Sequence, residues 1–125
     1  MQAPELARDL AQLAHQKQGT DIVILDVVDS LGIADYFVIV TARNERHAQA
    51  IGLELEHEMK LRGRPRSHAA GVGNPNRWVL LDFADVVVHV FVPEARAFYA
   101  LEDLWADAPR VAFEPLPHTG AAAAQ

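Results

Sequence analysis

Residues 78–92 read WVLLD, then FAD, then VVVHVFV, and no other stretch limits the fold as strongly. Both runs are rich in β-branched and aromatic residues, the composition of strands. With only Phe83, Ala84 and Asp85 between them, they must turn back on each other as an antiparallel hairpin. The second run is apolar on both faces. Alternation sets Val87, His89 and Phe91 on one side and Val86, Val88, Val90 and Val92 on the other. Such a strand belongs inside a sheet that is covered above and below.

The remaining chain supplies the cover. Leu6, Leu10 and Leu13 follow i, i+4, i+7 spacing after Pro4, which predicts a first amphipathic helix, with Gly19 expected as its left-handed terminus. Asp21–Val27 (DIVILDV) is a strand apolar on both sides, and Tyr36–Val40 (YFVIV) is a second. Asn44 is suited to cap a helix carrying Ala48, Ile51, Leu55 and Met59 as its stripe, and Gly63 ends it. Between Arg64 and Asn76 the glycines and prolines predict loop, with room for one short strand near Arg66–Ala69. Pro93 opens a last helix whose large apolar residues, Phe98, Leu104 and Trp105 among them, are expected mostly on a buried side. The order gives an α/β fold: a mixed five-stranded sheet with flanking helices. Residues 1–107 make a single domain, and 108–125, with three prolines and a run of alanines, is expected to be a disordered tail.

The chain has 125 residues and no cysteine, which removes disulfides, thiolate metal sites and cysteine nucleophiles and makes a reducing cytoplasm the expected setting. Its apolar runs fall short of the roughly 18 residues a membrane span needs, and the N-terminus lacks the pattern of an export signal. Eleven basic side chains against 17 acidic ones give a net charge of −6, against a surface that grips nucleic acid along its length. Direct nucleic-acid contact is therefore expected to be minor. The charge is unevenly placed: residues 60–77 carry five basic side chains and no acid, between two acidic blocks.

Asp35, Asp82 and Asp85 lie near strand ends, where carboxylates in a nucleotide-binding sheet can hold a metal ion, so a metal-dependent nucleotidyltransferase-like enzyme is the alternative reading. Asp82 and Asp85 also bracket a tight turn, and accepting backbone N–H bonds there explains both without catalysis. Paired carboxylates at alternate strand positions and a full glycine-rich phosphate loop are missing, Gly71-Val72-Gly73 being only a fragment. The six histidines are scattered, with no pair at metal-ligand spacing, and neither Ser30 nor Ser67 has the glycines of a nucleophile elbow. No metal, cofactor or catalytic residue is assigned. Trp78 at the hairpin mouth and Phe83 at its tip suit a protein interface better, since exposed aromatic side chains are common anchors.

Three stretches, ADYFVIVT (34–41), WVLLDFADVVVHVF (78–91) and RAFYALEDLW (96–105), together with the helix Glu45–Arg62, resemble the ribosomal silencing factor RsfS family, also called Iojap, over nearly all of residues 4–107. The resemblance implies a nucleotidyltransferase-like fold without the catalytic carboxylates. It also implies a protein that binds the large ribosomal subunit through its fourteenth ribosomal protein, on the face that meets the small subunit, and so blocks subunit joining. The expected partner-binding residues are Trp78, Leu81, Asp82, Phe83, Asp85 and His89. A homodimer in the free state is implied for several members. Phe83 stands where many members have Tyr or Leu, and Val92-Pro93 replaces a more polar pair.

Overall fold

The computed structural model describes residues 3–28, 34–71 and 76–116. Its centre is the expected hairpin, β4 (Trp78–Asp82) and β5 (Val86–Phe91), antiparallel with Trp78 opposite Phe91 and Asp82 opposite Val87. On its other side β5 runs parallel to β2 (Tyr36–Thr41), which pairs antiparallel with β1 (Thr20–Asp26). A short β3 (His68–Ala70) lines the outer side of β4, and β6 (Arg110–Val111) lines that of β1. The sheet thus has six strands in the order β3-β4-β5-β2-β1-β6, one more than the sequence predicts.

The extra strand comes from the segment expected to be a featureless tail. Arg110 and Val111 pair with Leu25 and Ile24, and Pro109 accepts a hydrogen bond from the Asp26 N–H at 2.8 Å. Arg8 donates to the Ala112 carbonyl, while Gln12 and Leu116 exchange hydrogen bonds and Phe113 packs against the core. The strand rim takes these residues because an unpaired edge leaves its polar backbone groups without partners. The rest of the expected tail, from residue 117, lies outside the described residues.

One face of the sheet is covered by α1 (Ala3–Gln16) and α2 (Glu45–Leu61). Leu6, Leu10, Ile51, Leu55 and Met59 bury against Val38, Val40, Val79, Leu81, Val88 and Val90. Asn44 caps α2 as its side chain accepts from the His47 N–H at 2.8 Å, and Gly63 takes the left-handed conformation beyond its end. At the end of α1 the left-handed residue is instead Gln18 (φ 72°). Gly19 serves close approach: a Cβ there would meet Val40 Cγ1 at 2.6 Å.

The opposite face has thinner cover. The single last helix of the sequence reading is divided into α3 (Pro93–Tyr99) and a single turn, α4 (Leu101–Leu104), by Ala100 at φ 46°. Phe98 and Leu104 face outward, 79% and 71% exposed, where a buried side was expected. Ala95, Leu101 and Trp105 remain inside, over Phe37, Ile39, Val87 and Phe91. Arg96 ties this cover down. Its guanidinium donates to both Glu102 carboxylate oxygens at 3.0 and 2.9 Å, to the Thr41 hydroxyl at 2.7 Å and to the Asp21 carbonyl. These bonds hold the Glu102 carboxyl below its usual range despite burial.

Candidate docking face

The sequence separates Trp78 and Phe83 onto opposite sides of the hairpin, and so does the structure. Trp78 lies half-buried on the thinly covered face. Its ring packs at 4.9 Å from that of Phe91 and 4.6 Å from that of Tyr99. Its indole N–H donates to His89 Nδ1 at 3.2 Å. This bond fixes the histidine: in the neutral ring Nδ1 accepts, so Nε2 carries the proton. Nε2 is buried and has no hydrogen-bond partner among the described residues. His89 sits edge-on to Phe37 at 4.8 Å, and burial lowers its pKa from 6.5 to about 4. At neutral pH the ring is therefore uncharged, which suits an apolar strand.

Phe83, expected at an open hairpin tip, is only 4% exposed. The turn folds it back under the sheet, where it joins Leu81 in the core beneath α1 and α2. Leu81, from the same expected set, is fully buried. Alternation accounts for Leu81, which shares the Val79 side of β4 and so faces the two-helix layer, whereas Phe83 lies beyond the strand and its burial is decided by the turn. The exposed tip is instead Ala84 (φ 73°) and Asp85. Asp82 Oδ1 accepts from the Ala84 N–H at 2.8 Å, the turn role expected of it. Asp85 lies 4.0 Å from Arg64, one of the basic residues of the 60–77 stretch.

Parallel pairing brings Asp35 beside Asp85, with the Asp35 N–H donating to the Asp85 carbonyl at 2.8 Å. Among the described residues no three His, Asp or Glu side chains are placed to hold a metal ion, so the enzyme reading gains no support from this geometry.

The partner-binding set expected from the sequence leaves out Leu80, which sequence reasoning missed, and Tyr99, which is one of the chain's aromatic residues suited to an interface. With Trp78, Gly71 and Arg77 they line a cavity of about 400 Å³ at the open side of the hairpin. Gly71 (φ 81°) is required there, since a Cβ would meet the Trp78 carbonyl oxygen at 2.6 Å. Alternation alone groups Leu80 with Trp78, whereas Tyr99, the last residue of α3, reaches the site by a tertiary contact. The candidate face thus has a half-buried tryptophan backed by a neutral histidine at the open end of the hairpin, and carboxylates at the turn at its other end.

Comparison with known proteins agrees with this architecture. The profile of the family described as "Ribosomal silencing factor during starvation" matches residues 1–125. A protein of Halalkalibacterium halodurans named ribosomal silencing factor RsfS is 40% identical over 111 residues, covering 86% of this chain and 94% of that one. A mouse protein named mitochondrial assembly of ribosomal large subunit protein 1 is 31% identical over 99 residues, which are 77% of this chain and 43% of the mouse protein. A solved structure of a protein from Chromobacterium violaceum superposes with a TM-score of 0.80 at 26% identity, covering 90% of this chain and 92% of the other. With its whole length matched and its fold shared, the chain belongs to the ribosomal silencing factor family.

Proposed function

We propose that this protein represses translation without catalysis, by binding the large ribosomal subunit on the face that meets the small one and keeping the two apart. The observation that carries the reading is the family match over the full chain. The fold is then nucleotidyltransferase-like in outline and put to a steric use, which requires a stable contact and no turnover. The partner on that face is the fourteenth ribosomal protein of the large subunit. A net charge of −6 favours a basic ribosomal protein over RNA as the surface touched. Trp78, Asp82 and Asp85 make the contact, and His89, Leu81 and Phe83 position them from inside the sheet. The protein acts in the cytoplasm, and in the free state the same thinly covered face pairs two copies.

Sedimentation with purified subunits tests the proposal. The protein is expected to travel with large subunits, not with small ones, and to reduce the yield of joined ribosomes. Equal binding to both subunits, or undiminished joining at saturating protein, overturns it. Light scattering across a wide concentration range tests the dimer separately.

A further inference from the structure

The one parallel pair among the described strands, β2 and β5, creates a point at which the chain leaves adjacent strands toward opposite faces. After Thr41 it passes to α2 on the two-helix side, and after Phe91 to α3 on the thinly covered side. In open α/β sheets the divergence of two such connections leaves a crevice beyond the carboxyl ends of the strands, and ligands bind in crevices of this kind. Here the crevice is real: a cavity of about 630 Å³ opens at this end, lined by Thr20, Thr41 and Ala100 among others. It lies at the opposite end of β2 and β5 from Asp35 and Asp85 and away from the hairpin turn.

Its charged lining divides into two sets. Arg96 and Glu102 are spent on each other, and Arg96 also donates to the Thr41 hydroxyl, so they form a wall of satisfied groups. Arg43 and Arg110 also line the cavity, and among the described residues neither guanidinium has a hydrogen-bonded or ion-paired partner, although Arg110 attracts Glu102 from a distance. Asp21 and Asp103 complete the lining, and neither carboxylate is paired among the described residues. Two open guanidiniums call for a phosphate, since planar donors bind its oxygens in pairs. Two open carboxylates in the same cavity call for hydroxyl or amino donors on the same ligand. A bare phosphate satisfies only the first half, whereas a phosphate joined to a sugar and an amino-bearing base satisfies both.

From this we infer that the crevice beyond the β2 and β5 carboxyl ends binds a mononucleotide, its phosphate on Arg43 and Arg110 and its ribose hydroxyls or base amino group on Asp21 and Asp103. No bond is made or broken there.

The test is titration of the full chain, in phosphate-free buffer, with AMP, GMP, CMP and UMP, with adenosine and guanosine, with inorganic phosphate, and with a short oligoribonucleotide. Calorimetry gives affinity and amide NMR gives location. At least one mononucleotide is expected to bind at least tenfold more tightly than its nucleoside or phosphate alone, shifting the amides of Thr20, Arg43 and Ala100. Arg43→Ala and Arg110→Ala, both at exposed positions, are each expected to weaken it about tenfold while circular dichroism stays unchanged. No binding by any mononucleotide at millimolar concentration, binding of the oligoribonucleotide alone, or undiminished binding by both arginine variants overturns the inference.

Discussion

At the scale of single residues, two side chains of the hairpin carry most of what can be measured. His89 has a folded-state pKa of about 4 against an ordinary 6.5. Between those values the unfolded chain holds a proton that the folded chain refuses, so acidification favours unfolding. The stability is present in full above pH 6.5 and is lost as the pH falls toward about 4, amounting to roughly 3 kcal/mol. Denaturant titrations across this range are expected to show that loss in the natural chain and a flatter profile in His89→Phe. If the two profiles run parallel, the histidine is not the titrating group. Phe83 makes a different prediction because it is core: Phe83→Ala is expected to cost about 3 kcal/mol, read as a lower denaturation midpoint with unchanged slope. An exposed tip residue, as Phe83 looks in the sequence, would cost almost nothing. The sequence conceals the difference because a three-residue turn gives no period from which to tell where its first side chain points. For Trp78 and Leu81, on a regular strand, alternation fixes the faces, and the structure keeps them.

The elements divide in the same way between what neighbouring residues decide and what distant ones do. Helices α1 and α2 and strands β1, β2, β4 and β5 fall within a residue or two of their sequence positions, because each has its own period and its own cap or breaker. Two features have no local signal. Ala100 breaks the last helix although alanine is the strongest helix former, so the break comes from tertiary contacts, with Arg96 on one side of it joined to Glu102 on the other. Strand β6 is two residues long and exists only because the edge of β1 awaits it. A chain ending at Asp107 therefore loses the strap formed by Pro109, Arg110, Val111 and Phe113. Its melting temperature is expected to fall by several degrees, and its bare β1 edge to promote aggregation detectable by light scattering. Equal melting temperatures for the two lengths would show that the strap adds nothing. Ribosome binding by the shortened chain, measured below its melting temperature, is expected to persist, since the strap lies at the far side of the sheet from β4.

For the whole molecule the governing quantity is charge. On the proposed function, a net −6 with Asp82 and Asp85 at one turn would steer the protein toward a basic partner over distances that salt shortens. Asp85→Asn is expected to slow association with the purified ribosomal protein at low salt and to match the natural chain near 1 M salt, by surface plasmon resonance. A deficit that persists at high salt would show that Asp85 acts in the proposed contact through short-range hydrogen bonds and not chiefly through its charge. The sheet order also sets how the molecule comes into being. Tyr36 pairs with Val86 and Thr41 with Phe91, so the central strand β5 is synthesised fifty positions after the strand it completes. Until it emerges, β1 and β2 form a ribbon whose apolar inner edge is open, and a late, non-local pairing of this kind is slow to form and exposed to misassembly. The first two thirds of the chain are therefore not a smaller version of the protein. A nascent chain halted before Val86 is expected to expose the surfaces that chaperones bind, and compaction to await translation of the final third.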